Sequence, residues 1–292
     1  MKIPNHKLQI TNKSQDPNHN KQYPFVSVIR SLYIVCNLVL VICILGINNF
    51  AYALSINIDP SNIRIVQKPG ETKSGSIIVQ NSSSAGIKLK AYTEDWVYAP
   101  DGSKSFIKPG SSVYSCSNWI VLDTATFELA PNEGKKISFK ITEPKNSSGG
   151  HVSVVFFEST VDVREGIAVA GRIGTIIYQD TEGDIKRAGE IKDLSVLASE
   201  EGTPVSVKFY FQNNGNTHIS ARPKISITKD NKTVAETEIK PINTLPADKG
   251  AGLATFTAPL KEGSYKAQVE LKFDDKTLKS QADFTIKKTS TK

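Results

Sequence analysis

Two arginines stand inside otherwise apolar stretches of this chain. Arg64 lies in Asn62-Ile63-Arg64-Ile65-Val66, and Arg172 in Gly171-Arg172-Ile173-Gly174. A guanidinium is a planar fork that can take a carboxylate through two parallel hydrogen bonds, so both are candidates to hold an acidic group. The glycines beside Arg172 let another backbone come close. Around it, Ile167, Val169, Ile173 and Ile177 recur at every second or fourth position of Gly166–Tyr178. That is the pattern of a long strand with one apolar face. If part of that face is unfilled, a second protein can pair with the strand through main-chain hydrogen bonds and set its side chains against the alternate positions.

Catalytic groupings are missing from the sequence. His151 and His218 have no partner at metal-ligand spacing. There is no Gly-x-Ser-x-Gly nucleophile elbow, and Gly149-Gly150 has no phosphate-loop frame around it. Glu94, Asp95 and Asp101 cluster beside a hairpin, where solvated carboxylates are the ordinary reading and a weak calcium site the alternative. Trp96 and Trp119 read as core residues, with ligand stacking as the alternative. We therefore expect no catalytic residue, no metal and no cofactor, and a chain that is not an enzyme.

Compartment and charge narrow the partners. Leu32–Ile47 is apolar apart mainly from Asn37, with Arg30 before it and Ala51-Tyr52-Ala53 after it. A basic flank, an apolar run and a small-x-small site make a secretory signal, cut after Ala53. The run is 16 residues, short of the roughly 20 that a membrane span needs; an uncleaved anchor is the alternative. Residues 1–53 thus read as a signal peptide with an extended n-region. The net charge of +7 lies largely in this leader; the remainder carries 31 basic and 28 acidic residues, and makes no case for nucleic acid. Only Cys116 remains after cleavage, so the exported part has no intrachain disulfide and its cores must supply the stability.

What positions the arginines is a series of strands. No part of residues 54–292 keeps a helical period. Strand patterns are separated by turn residues: Lys68-Pro69-Gly70, Asn81 to Gly86, Pro100-Asp101-Gly102, Lys108-Pro109-Gly110 and Ala130-Pro131-Asn132. Nine strands are expected from Ser55 to Tyr178, the last being Gly166–Tyr178. A polar stretch, Gln179 to Asp184, reads as a linker, and seven more strands follow from Ile191 to Ile286. Short strands at this spacing predict an all-β chain of two immunoglobulin-like β-sandwich domains in tandem, residues 54–180 and 189–287. The two halves show no sequence repeat.

The first half resembles the N-terminal domain of PapD-like periplasmic pilus-assembly chaperones. The resemblance covers Ile58 to Tyr178. It rests on Ile63-Arg64-Ile65-Val66, a Gly70 turn, Ser76-Ile77-Ile78-Val79-Gln80-Asn81, Lys88 to Trp96, and Phe127-Glu128-Leu129-Ala130-Pro131-Asn132-Glu133, which resembles the family's "apolar-x-Leu-x-Pro-Gly" turn. These motifs are of low specificity. The resemblance implies that Gly166–Tyr178 is the strand lent to a client, with Ile167, Val169 and Ile173 as its apolar contacts, and that Arg64 holds the client's terminal carboxylate. The family pairs that arginine with a lysine late in the lent strand. Here Gly174 stands at that place, with Arg172 two residues earlier on the same face. The proline pair before the "apolar-x-Leu" turn is absent, the loop Thr160 to Glu165 is short, and the second half shows no trace of the chaperone's second domain. The Gly171-Arg172-Ile173-Gly174 run is also similar to one in WxL-interacting cell-wall proteins, which begin with a PapD-like sandwich too; the membrane span and basic tail usual in them do not follow Ile286 here.

The expected function is that of an exported protein, periplasmic or extracellular, binding subunits of a surface appendage or other envelope proteins by β-strand donation. It meets the membrane only through an uncleaved leader. The alternative is a structural or adhesive cell-surface protein built of immunoglobulin-like modules. A carbohydrate-binding module is a third reading, with Tyr92, Trp96 and Tyr98 as its aromatic row.

Overall fold

The computed structural model describes residues 55–99, 101–159, 162–164, 167–198 and 200–288, and for 162–164 and 167–169 the backbone alone. The leader lies outside these residues. The described residues form strands throughout, with one 3₁₀ turn at Ser117–Trp119.

The first sandwich holds β1 (Ile56–Asp59), β2 (Asn62–Gln67), β3 (Thr72–Asn81), β4 (Ile87–Tyr98), β5 (Lys104–Ile107), β6 (Ile120–Leu122), β7 (Thr126–Leu129), β8 (Gly134–Thr142), β9 (Gly150–Ser159), β10 (Asp162–Arg164), β11 (Ile167–Val169) and β12 (Arg172–Thr181). One sheet runs β1-β3-β8-β6. The other runs β2-β12-β9-β4-β5, with β7 also on β4. Alternation sets the core between them: Ile77 and Val79, Ile137, Phe139 and Ile141, Leu89, Val155, Phe157 and Ile177 all turn inward and are buried. Cys116 is buried in the same core.

The second sandwich holds β13 (Gly189–Leu197), β14 (Val205–Asn213), β15 (Ile219–Lys229), β16 (Lys232–Glu238), β17 (Ile242–Thr244), β18 (Lys249–Phe256), β19 (Gly263–Phe273) and β20 (Lys276–Ile286). Its sheets are β13-β14-β18 and β16-β15-β19-β20, with β17 on β15. Val205, Val207, Phe209 and Phe211 face the core, as their alternation requires. β15 begins five residues before the strand expected at Lys224. Pro223 lies inside it, in the gap between the stretches paired with β17 and β16, so its missing N–H breaks no ladder bond.

Three further differences from the sequence pattern matter. Gly166–Tyr178 is not one strand. It is divided at Ala170-Gly171 into β11, which pairs with β10, and β12, which pairs with β9. Gln179, Asp180 and Thr181, read as linker from their polarity, continue β12: β2 and β9 pair with Gln179 and Asp180 on both sides, and β2 pairs with Thr181. The stretch Lys104–Ile107, unassigned from sequence, is a short edge strand.

The two sandwiches also share a corner that the sequence concealed. Buried Asn81 donates to the carbonyls of Ala85, Leu129 and Ala130, and its Oδ1 accepts from Ser83 N. Buried Asn213 donates to Thr217 O and Thr244 O, and its Oδ1 accepts from Gly215 N. In each corner an acidic side chain, Glu133 or Asp248, accepts from the backbone N–H three residues back. A left-handed residue, Asn132 or Ala247, precedes that acid. Replacing either asparagine with alanine strips several buried carbonyls of their donor, and we expect each variant to lose about 2–4 kcal/mol. Urea unfolding of Asn81→Ala and Asn213→Ala measures this.

Candidate functional site

β12 is paired unevenly. On one side β9 follows it from Arg172 to Asp180. On the other, parallel β2 pairs only Ile176 to Thr181. Ile176 N donates to Ser61 O, so by the strand's two-residue period the N–H groups of Arg172 and Gly174 face the same side. Among the described residues no strand pairs with that side of β11 or of Arg172–Gly174. This open edge is the candidate docking edge. It is held in place by a latch: Ser159 N donates to Gly171 O at 2.9 Å, and Gly171 N donates to Ser159 Oγ at 2.9 Å.

The predicted site residues fall in three places. Ile167 and Val169 lie in β11, on the open edge. Ile173 is half-buried against the first sandwich's own core. Arg172 turns to the opposite face, where its Nη1 reaches both carboxylate oxygens of Glu94 at 3.2 Å and its guanidinium covers the Phe156 ring at 4.2 Å. Gly174 shares that face and has no space for a side chain: a Cβ would stand 2.6 Å from Val154 and 2.8 Å from the Phe156 ring. Arg64 lies in β2 opposite Tyr178, six residues along β12 from Arg172. At about 3.3 Å per residue that is roughly 20 Å. The two arginines share a sheet face but not a site.

The proposed aromatic row exists, but it is used internally. Tyr92, Trp96 and Tyr98 alternate on β4; Trp96 is fully buried and its Nε1 donates to Ser153 O. Tyr92 Oη donates to Glu158, and Tyr98 Oη meets His218 Nε2 at 3.2 Å.

Arg64 belongs to the junction between the sandwiches, which sequence reasoning missed. Its Nη1 donates to Asp180 at 2.8 Å. The same carboxylate accepts from Arg187 at 2.6 Å and from Thr217 Oγ1 at 2.5 Å, and Asp180 is only 3% exposed. Three segments thus converge on one buried acid. Gly149-Gly150 lets the second sandwich approach: a Cβ on Gly149 would lie 2.7 Å from Asn216 O, and one on Gly150 closer still to Thr217. Leu245 joins the apolar cluster of Trp96, Val152, Val154 and Phe156, and Tyr114 Oη donates to Pro246 O. His218 packs against Tyr178 with ring centroids 4.6 Å apart. Burial, reinforced by Arg64 and Lys104, pushes its pKa down to about 3.

No family model and no curated protein matches this chain. Solved structures do. The class 5 fimbriae chaperone CfaA is 15% identical with a TM-score of 0.43, over 80% of this chain and 99% of that one. The CsuC–CsuE chaperone–tip adhesion subunit complex from Acinetobacter baumannii gives 12%, 0.40, 81% and 100%. The E. coli chaperone DraB gives 14%, 0.37, 79% and 98%. Each of these likenesses spans about four fifths of this chain. At identities this low the likeness is one of chain course, not of task.

Two outcomes test the junction. Asp180→Ala leaves Arg64 without its acid, Arg187 with Asp274 alone and Thr217 Oγ1 without its acceptor, and should cost about 2–3 kcal/mol in chemical denaturation. His218 is held neutral when folded and has its ordinary pKa when unfolded. Its contribution is therefore complete above pH 6.5 and is lost as pH falls toward about 3. Melting followed across that window should show a decline that His218→Phe reduces.

Proposed function

We propose that this chain is an exported protein that binds other proteins by lending them a strand edge, a PapD-like chaperone for subunits of a surface appendage. The observation that carries this is the open side of β11 and Arg172–Gly174, whose N–H groups face outward beside a strand already fixed to β9. A client strand laid there gains main-chain hydrogen bonds, and the positions of Ile167 and Val169 supply choice among clients. Ile173 acts from beneath, as the core contact that keeps the edge flat. Arg172, fixed by Glu94 and Phe156, places a cation at the edge.

Arg64 is the second element. β2 begins opposite Ile176, where the open edge ends, so a client running along that edge arrives near Arg64. One nitrogen of the guanidinium is committed to Asp180, yet the side chain remains 44% exposed. It can therefore take a terminal carboxylate while staying anchored. The gap left by Gly174 is not filled by Arg172, and the second cation of the site must come from elsewhere.

Pull-down from periplasm tests the reading. Ile167→Asp places a charge on the edge, Arg172→Pro removes an outward N–H without touching the β9 ladder, and Arg64→Ala removes the anchor. Each variant is expected to retain its fold and lose most of its client. Unchanged recovery in all three overturns strand donation.

A further inference from the structure

The sheets of both sandwiches end in strands with an open side, and an open side can pair with any strand that fits it. Most of these edges are guarded. β1, β5, β6, β7 and β17 are only three or four residues long. β2 carries Arg64. β13 is broken by an irregularity between Lys192 and Ser195, where Asp193 is left-handed. β16 carries Lys232, Glu236 and Glu238, and β20 carries Lys276, Lys279 and Asp283. Shortness, charge and bulges are what keep edges from pairing.

β18 lacks all three. It is eight residues long and pairs with β14 without a bulge from Phe256 back to Lys249. From Gly250 to Leu260 the sequence has no charged residue. Lys249, at its start, turns across its own sheet: its Nζ meets Asp193 of β13 and lies 4.3 Å from the Tyr210 ring. The ladder fixes which backbone groups are free. Asn213 N donates to Asp248 O and Asn214 N to Ala188 O, so odd-numbered residues of β14 face β18 and even-numbered ones face β13. β18 answers β14 from Gly250, Gly252, Ala254 and Phe256. The N–H and C=O groups of Ala251, Leu253 and Thr255 therefore point away from β14. Among the described residues no strand pairs with that side of β18. The side chains of the same three residues are exposed, Leu253 by 59%.

We propose that β18 is a homodimer edge, on which a second copy of this chain lays its own β18 antiparallel, centred on Leu253. The residue pattern selects this occupant. A two-fold contact sets a surface against itself, so it suits a strand that is compatible with its own reverse. About Leu253 the pairs that meet are Leu253 with Leu253, Ala251 with Thr255, Gly252 with Ala254 and Gly250 with Phe256. No like charges stand opposite each other. Leu253, exposed in one chain, covers its counterpart in the pair, and the two three-stranded sheets join into one. The strand belongs to the second sandwich, so a second copy and a client on β11 and β12 do not compete for one edge.

Sedimentation equilibrium of the purified chain over a range of concentrations tests this. The expected result is a reversible monomer–dimer equilibrium, with the Leu253 amide exchanging with deuterium more slowly as concentration rises. Leu253→Lys and Leu253→Glu each set like charges opposite in the pair, and each alone should weaken the dimer about tenfold or more. An equimolar mixture of the two variants should restore it, because unlike charges then meet. Val121→Lys puts the same charge on the short edge strand β6, at a residue 68% exposed, and should leave the dimer as it is. A chain that stays monomeric at every concentration overturns the proposal. So does a dimer unmoved by Leu253→Lys, an equal weakening in Val121→Lys, or a mixture that stays monomeric.

Discussion

The carboxylate of Asp180 is the point on which the arrangement turns. A buried acid is costly unless its charge is met, and here Arg64, Arg187 and Thr217 meet it from the first sandwich, the connecting segment and the second sandwich. Each donor is useful only if the other two segments are in place. The acid therefore acts as a registration mark. It fixes where β2 ends against β12, where the chain leaves the first sandwich, and where the second one docks. Gly149-Gly150 and the Trp96–Tyr178–His218 packing complete the fit, since a close approach of backbones is what brings Thr217 within reach.

That constraint also explains why β12 is half covered. β2 is held against the far half of β12, from Ile176 onward, and Arg64 is its tie to Asp180. The near half, with β11, projects beyond the first residue of β2 and has no paired strand on that side among the described residues. The closed half gives stiffness and the open half gives an edge. In an ordinary sandwich such an edge is an aggregation hazard. A protein that uses strand addition needs it, together with a cation near its end.

The repeated corner adds a second layer. Asn81 and Asn213 occupy matching places, each tying a strand end to the turn that carries an acid and a left-handed residue. In the second sandwich this corner faces the first: Thr217 reaches Asp180, and Leu245 enters the Trp96 cluster. The same local device thus closes one sandwich and supplies the docking surface of the other.

The sequence by itself determined the β class, the alternation that fills both cores, and most of the turns. It also picked out Arg64 and the neighbourhood of Arg172, because a charge inside an apolar strand is visible in a two-residue pattern. Those are local properties, written in adjacent positions. It did not reveal that Gly166–Tyr178 breaks at Ala170-Gly171, that polar Gln179–Thr181 is strand, or that Asn81 and Asn213 are counterparts. Nor did it show that Arg64, Asp180, Arg187 and His218 meet at one junction. Pairing partners and buried charge are set by contacts between residues far apart in the chain, as from Arg64 to Asp180, so only the tertiary structure could decide them.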